Sequence, residues 1–391
     1  MLAMRTTLSI VAVIGLLMGC SLCAWAQNTA RANPPASVPT FSTADVARTG
    51  FFSIGGHYVG DAGKELLDGA MYVEVWVPKR ITKPYPIVFF HGAAQTATNW
   101  LQTPDGRPGW AYYFVGQGYV IYMVDQPARG RSPYLPGVDG ELTTMPSSLE
   151  EQMFTDEQHQ GTWPQAKKQT QFPGSGPNAN RKGDPVFDAF YATQVQYLAS
   201  NTKTQGLVQD AGSQLLDKIG PAILLTHSQA GPFGWLLADA RPKLVKAIVA
   251  VEPSAPPLEN VFLGSGPARQ WGVTDIPIRY EPPVSQASEL QTVRQDKPES
   301  PDLVACWRQR EPARKLVNLE SIPVAIVSSE ASYHRTDDHC DAEWLNQAGV
   351  SATLIRLEDT GIHGNGHMMM LEKNNFEIAA VLDNWIRKNV R

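Results

Sequence analysis

The sequence is short of charge: Lys, Arg, Asp and Glu together make up 18% of its 391 residues, and the net charge is −5. No Lys/Arg-rich run occurs, so the electrostatic footprint of a nucleic-acid or anionic-membrane partner is missing, and neither is expected. A Gly-rich dinucleotide fingerprint and a phosphate-binding P-loop are also missing, which disfavours NAD- or ATP-dependent chemistry. No repeat of solenoid period is seen. What is present is a 43% hydrophobic composition, which excludes a mostly disordered chain. The 32 glycines and 30 prolines signal many turns and long loops and argue against a helical bundle or coiled coil. Length allows one large α/β domain or two ordinary ones.

Arg5 is the sole charge in the first 30 residues. An apolar run, Leu8 to Leu17, follows it, and then Ala24-Trp25-Ala26 before Gln27. This order reads as a secretory signal peptide over 1–26, and the run is too short for a stable membrane span. Leu17-Met18-Gly19-Cys20 also resembles a lipoprotein cleavage box, but Met is unusual inside one, so lipidation of Cys20 ranks below cleavage after Ala26. Residues 27–48, with a Pro/Ala-rich stretch, are expected to be a flexible leader. The protein is then exported, either to a periplasm or outside the cell. Cys20 and Cys23 leave with the signal. Cys306 and Cys340 remain in an oxidising compartment as a candidate disulfide, the alternative being two separate buried thiols.

From residue 49 onward short β-rich runs alternate with helical stretches. Phe51–Val59 and Ala70–Val77 read as opening strands. Pro86–Phe90, Val120–Val124, Ala222–Leu225, Ala247–Val251, Pro323–Val327 and Ala352–Leu357 are continuous apolar runs, as expected of parallel strands covered on both faces. Helices are expected over Trp110–Gly116, Phe187–Ala199, Pro232–Ala240 and Phe376–Lys388. Two segments, about 133–184 and 256–313, break the alternation. Structureless stretches this long are often lids or binding loops, and they are placed at the strand C-terminal ends.

The run Ala222–Leu225 leads straight into Thr226-His227-Ser228-Gln229-Ala230-Gly231. Small residues two before and two after a serine are what a tight strand-to-helix turn needs, because bulk there would clash. Such a turn lifts the Ser228 hydroxyl clear of the sheet. It also aims the following N–H, from the helix N-terminus, at a developing oxyanion. The alternative is an ordinary turn serine.

These features together resemble the α/β-hydrolase superfamily over residues 50–390, which implies a mostly parallel central sheet with helices on both faces and loop-rich lid insertions. His91-Gly92-Ala93 after an apolar strand is similar to the family's oxyanion loop, so the N–H groups of Ala93 and Gln229 would form the donor pair. His91 itself reads as a structural His, and Arg129 and Arg131 as loop-stabilising. The resemblance places the base in Gly361-Ile362-His363-Gly364-Asn365-Gly366-His367. His367, five residues before Glu372, fits the family's ending, and His363 is the runner-up. The usual acid site after Pro323–Val327 aligns with Ser332 and looks empty. Glu252, directly after the preceding strand, is the candidate acid, with Glu330, Asp337 and Asp338 in reserve.

More narrowly, His91-Gly92, Thr103-Pro104-Asp105-Gly106-Arg107 with Gly109-Trp110, Asp125-Gln126 with Arg129-Gly130-Arg131-Ser132, and Gly364-Asn365-Gly366-His367 resemble a group of secreted bacterial esterases of the Alcaligenes type. That group implies a Ser-Glu-His triad, which favours Ser228, Glu252 and His367. The activity implied is carboxylic-ester hydrolysis through an acyl-enzyme. Amidase, thioesterase or acyltransferase chemistry on the same triad, or a catalytically idle binding protein on this fold, are the alternatives. No cofactor and no metal is expected: His334 to Asp341 holds ligand-type residues but no strong zinc spacing, and reads as a solvated loop. The partner is a small-molecule ester. Trp163, Phe172, Trp271 and Tyr280 either line an apolar pocket or pack the insertions onto the domain. Oligomeric state is not legible.

Overall fold

A computed structural model describes residues 34–390, apart from 36 and 255. The signal peptide, Cys20 and Cys23 lie outside the described residues. Residues 34–40 belong to a short N-terminal unit, and the chain from Phe41 forms a second unit that carries everything described below.

Eight strands make the central sheet. They are β1 (Val46–Val59), β2 (Leu66–Pro78), β3 (Ile87–Phe90), β4 (Ile121–Asp125), β5 (Ala222–Ser228), β6 (Val245–Pro253), β7 (Val324–Ser328) and β8 (Ala352–Arg356). Their spatial order is β1-β2-β4-β3-β5-β6-β7-β8. The β1–β2 hairpin joins antiparallel, and every pairing from β4 through β8 is parallel. Val46–Arg48, expected in the leader, already open β1, and Val46 pairs with Pro78.

The period-2 geometry of a strand divides the apolar runs between two cores. Phe89, Met123, Leu225, Val249 and Val327 point to one face. There they meet α1 (Trp110–Gly116) and the C-terminal helix Asn375–Asn389. Phe90, Val124, Leu224, Ile248 and Ile326 point to the other. They meet α2 (Asn201–Ile219), α3 (Gly231–Ala240) and α4 (Asp338–Gln347), so the C-terminal helix is α5. Continuous burial on both faces is why these strands read as unbroken apolar runs rather than as alternating ones.

Three expectations are corrected. The helix expected over Phe187–Ala199 stops at Tyr191, and Tyr197–Leu198 instead pairs with Leu142–Thr143 as a small ribbon. The long helix α2 was not foreseen. Ser200 caps it by accepting from the Lys203 N–H. The stretch read as a solvated loop, His334 to Asp341, folds into a turn and the start of α4, and its His334, Asp337, Asp338 and Asp341 are all buried. Among the described residues, no helix is long and apolar enough to cross a membrane.

Candidate active site

Strand β5 ends in a sharp turn. Ser228 adopts φ +53°, a left-handed conformation that a non-glycine residue takes only where its surroundings hold it there. The surroundings are tight. Ala230 donates back to the His227 carbonyl, and the Ser228 carbonyl accepts from the Ser254 N–H at 2.9 Å. A Cβ on Gly231 would come within 2.4 Å of the Pro253 Cβ, so glycine is required where the new helix passes the end of β6. Gly92 is confined less severely: a Cβ there would stand 3.0 Å from both His227 Nδ1 and the Ser228 Cβ.

Ser228, Ala93 and Gln229 all line one cavity of about 440 Å³. Among the described residues the backbone N–H groups of Ala93 and Gln229 donate to no protein acceptor. The Gly92–Ala93 loop is braced from behind. Arg129 donates to the Gly92 carbonyl at 3.2 Å and to Gln229 Oε1 at 3.2 Å, and its guanidinium lies over the Tyr197 ring. Arg131 pairs with Asp125 and Glu74. His91 is fully engaged: Nδ1 contacts the Gly92 carbonyl at 3.0 Å and Nε2 accepts the Gln126 N–H. Burial pushes its imidazole down to about 3, so it is neutral and structural.

The imidazole of His367 lies against Phe154, His334 and His227, and its Nδ1 stands 2.6 Å from Glu252 Oε2. That leaves Nε2 as the ring nitrogen not taken by the carboxylate. Glu252 leaves the end of β6 with φ +43°. Its carboxylate is completely buried and accepts from the Ser329 N–H (2.8 Å), the Ser329 hydroxyl (2.6 Å) and the Ser332 hydroxyl (2.7 Å). Burial pushes this carboxyl upward; the nearby His334 and these serine donors pull it back. Burial, followed by the neighbouring His334, holds His367 well below its ordinary value, so the resting imidazole is neutral.

Two further carboxyls brace the His367 loop, and sequence reasoning singled out neither for this purpose. Glu157 accepts the His367 N–H at 3.2 Å, and Glu372 accepts the Gly366 N–H at 2.9 Å. Glu157 comes from the first insertion, 210 residues away, so no local signal could have linked it to the site. The other candidates are elsewhere. His363 is solvent-exposed and contacts Glu330, which also pairs with Lys168. Asp337 and Asp338 face His334 rather than His367.

Both insertions line the cavity. The first contributes Met145 and Leu149, and the second Asn260, Phe262, Leu263 and Arg269. Of the aromatics singled out from sequence, Trp163, Phe172 and Tyr280 pack into the two cores, Trp163 donating to the Ala331 carbonyl. The aromatic walls are Tyr197, Phe262 and Tyr333. A disulfide joins Cys306 to Cys340 with Cα atoms 5.2 Å apart, tying the second insertion to α4.

Comparison with known proteins adds three findings. A family model described as "Alpha/beta hydrolase family" matches residues 87–381. A protein named "Probable secreted lipase phiG", from Fungal sp. (strain ATCC 74256), is 48% identical over 341 residues, covering 87% of this chain and 90% of its own. A solved structure, "The Atomic Resolution Structure of a Novel Bacterial Esterase", superposes with a TM-score of 0.60 at 24% identity, covering 90% of this chain and 99% of its own, a likeness of fold.

Proposed function

This chain belongs to the alpha/beta hydrolase family, and we propose that it is an exported serine carboxylic-ester hydrolase with Ser228 as nucleophile, His367 as base and Glu252 as acid. The relative named a secreted lipase supports both the export and the ester chemistry. The observation that carries the reading is a convergence in one cavity: a strained Ser228, and the unengaged N–H groups of Ala93 and Gln229 beside it.

The chemistry follows from the groups present. A serine hydroxyl is a weak nucleophile and needs a base. His367, neutral at rest, takes the Ser228 proton on Nε2 as Oγ bonds to the ester carbonyl carbon. The carbonyl oxygen becomes an oxyanion and accepts from the Ala93 and Gln229 N–H groups. One such donor is worth about 3 kcal/mol in the transition state. The imidazolium that forms is held by Glu252, whose charge is fixed in place by Ser329 and Ser332. His367 then gives the proton to the leaving alkoxide as the carbon–oxygen bond breaks. Water, deprotonated by the same nitrogen, attacks the acyl-enzyme and frees the carboxylic acid and Ser228.

The test is a fluorophosphonate probe on the chain from Gln27 onward, with the adduct mapped by mass spectrometry. The probe needs an activated serine and an oxyanion hole but little substrate fit. An adduct on Ser228 that disappears in His367→Ala is the expected result. A folded protein that reacts elsewhere, or not at all, would overturn the assignment.

A further inference from the structure

Behind the His367 ring lies a second cluster of buried polar groups that the hydrolytic reading does not use. The His334 ring stacks on the His367 ring, centroids 5.0 Å apart at 15°. Its Nδ1 stands 2.9 Å from Asp338 Oδ1 and 3.6 Å from Asp337 Oδ1. Asp341 follows one turn along α4, and all four side chains are at most 2% exposed.

Among the described residues no Lys or Arg stands within 4.0 Å of the three carboxylates. Arg269 is close enough for its charge to act on Asp337 and Asp341, but its guanidinium bonds elsewhere, donating to the Pro256 and Glu259 carbonyls and to Asn260. Arg335 is paired with Glu358. Among the described residues Asp337 Oδ1, Asp341 Oδ2 and His334 Nε2 are buried with no hydrogen-bond partner, and Asp338 Oδ2 has nothing but the neighbouring Ser328 hydroxyl. The first turn of a helix favours acids, but that effect is small beside the cost of burying polar groups that bond to nothing.

We propose that His334, Asp337 and Asp338 form a site for one divalent transition-metal cation, of which Zn²⁺ is the working probe. Two ligands each about 2.1 Å from an ion at a tetrahedral or octahedral angle stand about 3.0–3.4 Å apart. The distances at His334 Nδ1 bracket that range, and the donor atoms of the three side chains all lie within 4.8 Å of one another. An imidazole among carboxylates suits zinc or manganese rather than calcium, which takes oxygen ligands. Asp337 also lines the Ser228 cavity, which gives the ion a way in. Ligation through Nδ1 needs the neutral ring's single proton on Nε2; a proton that Nδ1 holds toward Asp338 moves to Nε2, with no net release from the ring.

The site has a consequence for the neighbouring ring. A dication held by His334 opposes the charging of the stacked His367, so an occupied site slows turnover by about tenfold or more.

The experiment titrates the metal-stripped mature chain with Zn²⁺ against a chromophoric chelator, and reads ester hydrolysis in parallel. The expected result is one Zn²⁺ per chain, no competition from Ca²⁺, and loss of binding by at least about tenfold in both Asp337→Asn and Asp338→Asn. If Asp338→Asn fails to fold, Asp337→Asn decides alone. Absence of Zn²⁺ binding at about 100-fold excess over chain (about millimolar at most), or binding unchanged in the Asn variants, overturns the proposal. The binding measurement stands whether or not the ester reading holds; inhibition of the wild type that persists in the variants would place the ion on the His367–Glu252 pair instead and likewise overturn it.

Discussion

The Ser332 hydroxyl donates to Glu252 Oε2, the same oxygen that faces His367 Nδ1. Ser332 is where the resemblance expected an acid, and the structure has it steadying a carboxylate that arrives from the strand before. Glu252→Gln is therefore expected to lower kcat by about 10³–10⁴-fold, as loss of the orienting charge does in such triads. Ser332→Ala, which leaves the charge and removes one of its hydrogen bonds, is expected to cost about tenfold. Steady-state kinetics on one ester substrate compares the two; equal losses would remove Glu252 from the acid's role.

His367 must be neutral to accept the Ser228 proton. Burial holds its pKa below the ordinary 6.5. A base of lowered pKa stays neutral to lower pH, and activity is lost only as pH falls through that depressed value. The acid limb of kcat/KM is expected to have its midpoint below pH 6.5, with a plateau across neutrality. A midpoint above about pH 7 would mean that the Glu252 charge outweighs burial at this imidazole.

Gly92 separates catalysis from folding. A Cβ at this position presses on the His227 ring and the Ser228 Cβ, each at 3.0 Å, so a few tenths of an ångström of movement is needed to accept it. In the proposed mechanism that small shift moves the Ala93 N–H off the oxyanion. Gly92→Ala is expected to lower kcat by about tenfold to a hundredfold with KM nearly unchanged, because the donor acts in the transition state. Its melting temperature is expected to stay within a few degrees of the wild type. A large loss of stability with kcat intact would reverse the interpretation of this glycine.

The parts legible in the sequence are those set by local physics. Strands buried on both faces write themselves as apolar runs, and the turn at Ser228 demands small neighbours wherever it occurs. Glu252 could be picked out because a carboxylate at the end of a buried strand needs a partner. The missed parts depend on distant packing. Helix α2 carries Gly206, Gly212 and many polar residues, and it is held by its seat against β1, β2 and α3 rather than by propensity. His334 to Asp341 is polar at nearly every position, so it reads as solvated. Its burial comes from the elements packed round it, with Cys340 bonded to the distant Cys306. Glu157 reaches His367 only through the folded first insertion.

Glu150 supplies a test of how the first insertion is held. It is fully buried, neither carboxyl oxygen has a hydrogen-bond partner among the described residues, and burial pushes its pKa up to about 8 from an ordinary 4.5. The unfolded chain releases this proton near 4.5 and the folded chain near 8, so between those values the folded state binds more protons. Stability from this group is fully present below about pH 4.5 and is lost as pH rises toward and through 8. Glu150→Gln keeps the shape and cannot ionise, so it is expected to match the wild type or fall slightly below it at about pH 5 and to melt several degrees higher at about pH 8.5. Other carboxyls raised by burial, Glu372 among them, titrate in both proteins and cancel in the difference. The difference in melting temperature, followed from about pH 5 to about pH 8.5, therefore isolates Glu150. A difference that stays flat would mean that water reaches this carboxyl and the insertion opens far more readily than its packing implies.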